Sequence, residues 1–380
     1  AGARTRRCCE RKAGPRMNNA RQDTDRTPQM AGDALRLTVI IPNYNYAEFV
    51  GQAIDSALAI DWPDVQVIVV DDGSTDASRQ VIARYGERIE TVLQANAGQY
   101  MAYNAGYLLA RGDVVIFLDS DDLLERSVMQ EIVAIWRPGL SKVQFRLRVV
   151  DGAARPLGST FPQFHGAPQP DELRRWAAAT TTYPTPPGSG NAYSRAYLDQ
   201  ILPLDEACGR PGDSCCVAAA PFLGDVATID APLGQYRVHG RNDGAASRLD
   251  ASQFHLHVVR ARQRSAYVRQ VARRVGIEVS DKALDLSLHY LPYRLASLQL
   301  AQATHPIAGD SAWAVFTDVL RALQTPQGLS PKARWMLGLW AALVVLLPRK
   351  AGNRLILWRF VPAERPQALR ATLLKLGVIR

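Results

Sequence analysis

The 380-residue chain lacks most of the features that announce a function at first sight. Its five cysteines, Cys8, Cys9, Cys208, Cys215 and Cys216, form no CxxC pair, which excludes a zinc knuckle or a thioredoxin-type motif. The number is odd and two sets are vicinal, so a reducing, cytoplasmic setting is expected. No GxGxxG follows the first apolar run and no GxxxxGK[ST] occurs, so a glycine-rich cradle for phosphate is excluded. His255 and His257 stand two apart on an expected helix, where they do not share a face and make a poor metal pair. No apolar signal core opens the chain. Residues 1–34 are polar and arginine-rich and are expected to be disordered, with Met17 or Met30 as a candidate start.

A uniformly basic surface is also missing, although the net charge is +9. Residues 1–35 hold eight basic against four acidic residues, residues 331–380 ten basic residues against Glu364 alone, and the middle is net −4. Such a body does not suit a nucleic-acid groove. Its basic C-terminus suits an anionic membrane surface, at the inner face of the cell membrane. Trp335–Leu347 is thirteen apolar or small residues, too few for the roughly 20 that span a bilayer. Arg349, Lys350, Arg354, Arg359 and Arg365 then interleave with Leu355, Ile356, Leu357, Trp358 and Phe360, as in a helix lying in a membrane interface. An ordinary core helix with a solvated basic tail is the alternative.

What the chain does have is apolar runs that end in acids. Val114-Val115-Ile116-Phe117-Leu118 leads into Asp119-Ser120-Asp121-Asp122. The run reads as a strand buried on both faces. Leu37–Ile41, stopped by Pro42, and Val65–Val70, ending in Asp71-Asp72-Gly73-Ser74-Thr75-Asp76, read the same way, and Ile89–Gln94 is a further strand. Helical spacing over 48–60, 77–85 and 96–110 separates them, so a parallel sheet flanked by helices is expected. In such sheets the C-terminal strand ends converge on one crevice, where Tyr44, Asp72, Asp121 and Asp122 would face one ligand. Clustered carboxylates repel unless a cation holds them. A Mg²⁺ or Mn²⁺ ion shared with substrate phosphates is the simplest solution. Helix capping before Leu123 is the plainer alternative.

Further along, 124–136 reads as a helix, 142–150 as a strand, 156–170 as a surface loop, and 184–193 as a Pro/Gly loop lining the site. Asp213 opens an Ala-rich helix to Phe222, and 226–229 and 234–238 read as short strands. Residues 249–276, 281–304 and 309–323 are expected to be helices. The resulting division is a basic N-terminus over 1–35, an α/β domain over 36–245, a C-terminal α-helical extension over 246–330 and a basic apolar tail over 331–380.

Taken in order, Thr38–Asn45 (TVIIPNYN), Val69–Asp76 (VVDDGSTD), Asn96-Ala97-Gly98, Asn104-Ala105-Gly106 and Phe117–Asp122 (FLDSDD) resemble the family 2 glycosyltransferases, over about Thr38 to Asn242. The resemblance implies a GT-A type, Rossmann-like sheet and inverting transfer of a sugar from a nucleotide diphosphate, usually a UDP-sugar, to a hydroxyl of a saccharide or lipid-linked acceptor. It implies synthesis of a cell-surface polysaccharide or glycolipid. Pro42 and Tyr44 would line the pocket of the base and Asp72 would bond it. Asn96, Gly98, Asn104, Asp119 and Asp121 would complete the donor site, with Arg237 on the phosphates. Asp122, Asp121 and His239 would hold Mn²⁺ or Mg²⁺. The family places its general base in the second half, commonly after Glu; here Gly212-Asp213 matches, which makes Asp213 the base with glycine replacing glutamate. A helix cap at Asp213, a strand stop at Pro42 and a backbone-bonded His239 are the structural alternatives. A nucleotidyltransferase, or a non-catalytic nucleotide-sugar-binding scaffold at a membrane, are the competing functions.

Overall fold

The computed structural model describes residues 35–164, 166–205, 208, 212–239, 251–361 and 364–368. The expectations for residues 1–34, for Asn242 and for the end of the basic tail lie outside them. Alternation of strand and helix opens the fold: β1 (Leu37–Asn43), α1 (Val50–Leu58), β2 (Val65–Asp72), α2 (Ser78–Ala83), β3 (Glu90–Gln94), α3 (Gln99–Leu109) and β4 (Val114–Phe117). β1 pairs in parallel with β2 and β4, and β2 with β3. The runs are apolar on both faces because both faces are covered. Ile40, Val70, Val115 and Phe117 pack into one core with Tyr103, Tyr197 and Cys216. Their alternating neighbours Val39, Ile41, Val69 and Ile116 pack into the other with Ile54, Ile82 and Ile132.

The second half departs from the expected parallel sheet. It comprises β5 (Leu123–Leu124), α4 (Val128–Ile135), β6 (Leu140–Asp151), β7 (Pro156–Phe161), α5 (Pro170–Thr180), β8 (Asn191–Ser194), α6 (Arg195–Ile201), α7 (Asp213–Leu223) and β9 (Asp225–Val238). The nine strands form one sheet in the order β3-β2-β1-β4-β8-β6-β9-β5, with β7 on β6. β8 runs antiparallel to both β4 and β6, so the sheet is mixed. β7 occupies part of the stretch read as a loop. β9 is one strand where two were expected, with register shifts against β6 on either side of the Arg146–Pro232 pair; Pro232 has no N–H to donate to the ladder.

The remainder is helical: α8 (Ala251–Arg274), α9 (Leu291–Leu300), α10 (Ala312–Ala322), α11 (Pro331–Leu346) and α12 (Arg349–Phe360). The single helix expected over 281–304 is broken, and Pro292 stands in the first turn of α9, where proline is tolerated. These helices have their own core of Phe254, Leu295, Val319, Leu337, Val344 and Ile356. α8 joins it to the sheet, since Val268, Val271 and Ala272 belong to the core around Cys216.

Candidate active site

The C-terminal ends of β1, β2 and β4 bring the candidate residues of the three strands side by side, and the two acids that end β2 divide their work. Asp71 is buried. It accepts from Asn43 Nδ2 (3.0 Å), Ser74 N (3.0 Å) and Arg79 Nε (2.7 Å). Burial opposes its charge, but the bonds from Ser74, Arg79 and Asn43 outweigh it and hold the carboxyl below its ordinary range. Asp71 thus fixes the turn. Asp72 accepts from Gln94 Nε2 (2.7 Å), Ala97 N (2.8 Å) and Gly98 N (2.8 Å), which ties the Asn96-Ala97-Gly98 loop to the end of β2. Pro42 is held beside β4 through its carbonyl, which accepts from Ser120 Oγ (2.6 Å). Tyr44 is 45% exposed on the loop beyond β1. Asn104 is turned to other work: its amide donates to Leu204 O (2.8 Å) and accepts from Leu204 N (2.7 Å), anchoring α3.

The acids after β4 are held from three sides. Asp122 Oδ2 accepts from Ser189 Oγ (2.6 Å) and Oδ1 from Arg237 N (2.9 Å). Asp121 Oδ2 lies 2.9 Å from His239 Nε2, whose ring stacks on Phe49 at 4.7 Å. Asp119 Oδ1 accepts from Gln99 Nε2 (3.2 Å). Arg237 is 1% exposed. Its side-chain nitrogens donate to Asp121 O (2.7 Å), Gly152 O (2.7 Å) and Gln52 Oε1 (2.9 Å). Arg237 thus bonds Asp122 through its backbone N–H and the Asp121 carbonyl through Nε. Burial and the neighbouring Asp121 push the Asp122 carboxyl up to about 8. Burial, then Asp122, Asp121 and Asp213, push Asp119 well up. Among the described residues no three His, Cys, Asp or Glu side chains converge tightly enough to hold an ion alone. The donor set still fits a hard divalent cation, because the acidic oxygens of Asp119, Asp121 and Asp122 crowd together and repel one another. One or two carboxylates plus ligand phosphates is the usual way to bind Mg²⁺, and Asp121 and Asp122, with His239 behind, could serve so.

Asp213 reaches this cluster from the second half of the fold. A Cβ built on Gly188 would lie 3.1 Å from Asp213 Oδ2 and 3.6 Å from Asp119 Oδ2, so the two carboxylates approach each other across a residue without a side chain. A Cβ on Gly212 would lie 2.9 Å from Tyr100 N. The close approach of α3 explains why glycine stands where glutamate was expected. Burial raises the Asp213 carboxyl, and Arg264, then Lys142, act to lower it.

Several partners escaped the sequence reading. Gln99 bonds Tyr103 OH (2.9 Å), Asp119 and Gly212 N (3.2 Å) at once. Lys142 is fully buried, with Nζ on Thr185 Oγ1 (2.9 Å) and Asn191 Oδ1 (2.6 Å). Arg264, on α8, donates to Ser214 Oγ (3.4 Å) beside Asp213. A lysine in β6 and an arginine in a distant helix carry no local motif. Ser189, by contrast, lies in the Pro/Gly loop expected to line the site.

The family model described as glycosyl transferase family 2 matches residues 38–202. The uncharacterized glycosyltransferase alr2836 of Nostoc sp. is 37% identical over 226 residues, 58% of this chain and 70% of that protein. The chain belongs to glycosyl transferase family 2. This family 2 glycosyltransferase has the GT-A fold, with its mixed sheet, flanking helices and C-terminal helices. It is also 29% identical over 106 residues to the poly(ribitol-phosphate) beta-N-acetylglucosaminyltransferase TarS of Staphylococcus aureus, which covers 26% of this chain and only 18% of TarS. The crystal structure of S. aureus TarS 1-349 in complex with UDP-GlcNAc aligns over 81% of this chain and 90% of that one, at 17% identity and a TM-score of 0.48.

Proposed function

We propose that this glycosyltransferase moves a sugar from a nucleotide diphosphate, with UDP the expected nucleotide, to a hydroxyl of a saccharide or lipid-linked acceptor. The transfer inverts the anomeric carbon. It serves cell-surface polysaccharide or glycolipid synthesis at the cytoplasmic face of the membrane. TarS is named for a poly(ribitol-phosphate) acceptor, which supports a polymer hydroxyl as the group that receives the sugar. The observation that carries the mechanism is the meeting of Asp119 and Asp213 across Gly188, from opposite halves of the fold.

Tyr44 stacks on the base at the mouth of the crevice. Pro42 lines that pocket, and Asp72 shapes it through the Asn96–Gly98 loop while bonding the base from its rim. Asp119 and Asp121 orient the ribose and the sugar. Asp122 and Asp121 would hold a Mn²⁺ or Mg²⁺ ion, which would supply positive charge where the leaving diphosphate becomes more negative. Arg237, Ser189 and His239 keep those carboxylates aimed. Asp213 takes the proton of the acceptor hydroxyl as its oxygen attacks the anomeric carbon. The new C–O bond forms opposite the breaking bond to the diphosphate, and one displacement inverts the centre.

Calorimetric titration with UDP, GDP, CDP and TDP, each with and without Mn²⁺, tests the donor half. One nucleotide is expected to bind in a metal-dependent way, and Asp122→Ala is expected to weaken it by tenfold or more, about 1.4 kcal/mol. Binding that ignores both metal and substitution would sink the assignment. His239→Ala leaves both carboxylates in place and removes a partner of Asp121, so a loss of Mn²⁺ affinity of roughly 10–100-fold, the range of an outer-shell partner, is expected in the same cell.

A further inference from the structure

Large exposed apolar side chains are gathered on one helix hairpin. On α11, Trp335, Leu339, Leu343 and Leu346 recur at i, i+4, i+8 and i+11, which is one helix face. Trp335 is 78% exposed, Leu339 62% and Leu346 65%. The other side of the helix holds Leu337, Ala341 and Val344 in the helical core. α10, which packs beside α11, exposes Trp313 and Leu320, seven positions apart. Isolated exposed leucines are ordinary; a row of them with tryptophan on a regular helix face marks an interaction surface.

Charge identifies what covers it. From Pro331 to Ala363 the sequence has Lys332, Arg334, Arg349, Lys350, Arg354 and Arg359 and no acid. Two of these basic residues precede the row and three follow it closely. This is the pattern of a helix lying in the plane of an anionic membrane, apolar face down and basic residues at the headgroups. The face lies inside the 331–380 tail expected to meet the membrane, on α11 and not on the interleaved stretch of α12. In α12, Ile356 is fully buried, Phe360 meets Phe254 edge-on at 4.9 Å, and Arg359 lies over the Trp340 ring at 5.0 Å. Those residues hold the bundle together, and α11 carries the outward face. Among the described residues no helix is long and apolar enough to cross a membrane, and sixteen residues suffice to lie along one.

We propose that α11 docks flat on an anionic lipid surface. Trp335, Leu339, Leu343 and Leu346 enter the boundary between headgroups and acyl chains, and Lys350 and Arg354 meet the lipid phosphates. This placement does not depend on the assignment of the carboxylates, so either can fail alone.

Deleting 331–380 would be a poor test, because Leu337, Ala341, Val344 and Ile356 belong to the helical core. Flotation of the full chain with vesicles of phosphatidylcholine, alone or mixed with phosphatidylglycerol, is the better one. The parent is expected to float with the anionic mixture and much less with phosphatidylcholine alone. Trp335→Ser, Leu339→Ser and Leu346→Ser together are expected to lower partitioning by about tenfold or more with an unchanged melting temperature. Lys350→Glu with Arg354→Glu should remove the preference for the anionic lipid. Leu108→Ser, on α3, should change nothing. If the triple variant melts lower, Leu339→Ser alone carries the comparison. The proposal fails if the parent stays with the buffer, or if the serine variants float like the parent. It also fails if they only abolish self-association, which would make the row an interface between copies.

Discussion

Asp213→Asn is expected to lower sugar transfer by about 10²–10⁴-fold, the usual worth of a general base, while nucleotide affinity stays within about twofold of the parent. Asparagine keeps the size and part of the hydrogen bonding of aspartate but cannot accept the proton of the acceptor hydroxyl. The check is turnover of the donor chosen by calorimetry, with nucleotide binding measured on the same variant. Near-normal turnover would leave Asp213 as a helix cap and no more. The pH profile adds a second readout with a definite sign. A base works deprotonated, so activity falls as pH drops through its pKa. Burial raises that pKa, and Arg264, then Lys142, pull it back. Asp119 and Cys216 also face it, with Tyr103 from α3 and Tyr193 from β8. The acid limb of kcat/KM is therefore expected above the range of an ordinary aspartate. Arg264→Gln removes the leading opposing influence and should move that limb to higher pH still, whereas Arg264→Lys should restore it. A limb that stays put in Arg264→Gln would separate α8 from the base.

The parts of this fold that were legible in the sequence are those where one local pattern admits one structure. β1, β2 and β4 are continuous apolar runs because both faces are covered, and the acids after β4 stand out because no core needs them. β8 was not legible. Asn191-Ala192-Tyr193-Ser194 looks like the end of a loop, yet all four residues are buried between β4 and β6. Its strand character comes from the partners on either side. The break between residues 281 and 304 was hidden for the opposite reason. Leucines 284, 288, 291, 295 and 298 keep helical spacing through a segment that is not continuous helix. The candidate site divides in the same way. Carboxylates at strand ends are visible one motif at a time. Lys142 and Arg264 become visible only when β6 and α8 are packed against α7. The polarity of the tail was legible too, but an interleaved pattern does not say which apolar residues face inward. The bundle core decides that, and it takes Ile356 and Phe360 while leaving Trp335 and Leu339 outside.

The largest loss of stability is expected from Arg294→Leu, which removes the hub of the helical bundle. Arg294 is nearly buried on α9. Its Nε and Nη2 donate to the two oxygens of Asp310 at 2.8 Å each, and Nη1 donates to Asp285 and Asp318 at 2.9 Å. One guanidinium thus ties α9 to the segment before it, to the loop that leads into α10 and to α10 itself. Asp310 also lies 3.0 Å from His305 Nε2 and accepts from Ser311 N. Leucine removes the cation shared by Asp285, Asp310 and Asp318, leaving Arg321 on Asp318 and His305 beside Asp310. Breaking a buried pair from one side costs about 3–5 kcal/mol, against about 1 kcal/mol for a typical substitution. The effect has a pH signature. Burial works against the charge of Asp310, but its bonds to Arg294, and after them His305, hold its carboxyl below the ordinary value. A carboxyl lowered on folding contributes stability above its unfolded pKa, and that contribution disappears as pH falls through the folded one. The gap between parent and variant should therefore be widest near neutral pH and shrink as the solution becomes acidic enough to protonate these carboxylates. Urea midpoints at neutral and acid pH measure it. A gap independent of pH would mean that leucine perturbs packing and that the ion-pair network is not what holds the helices.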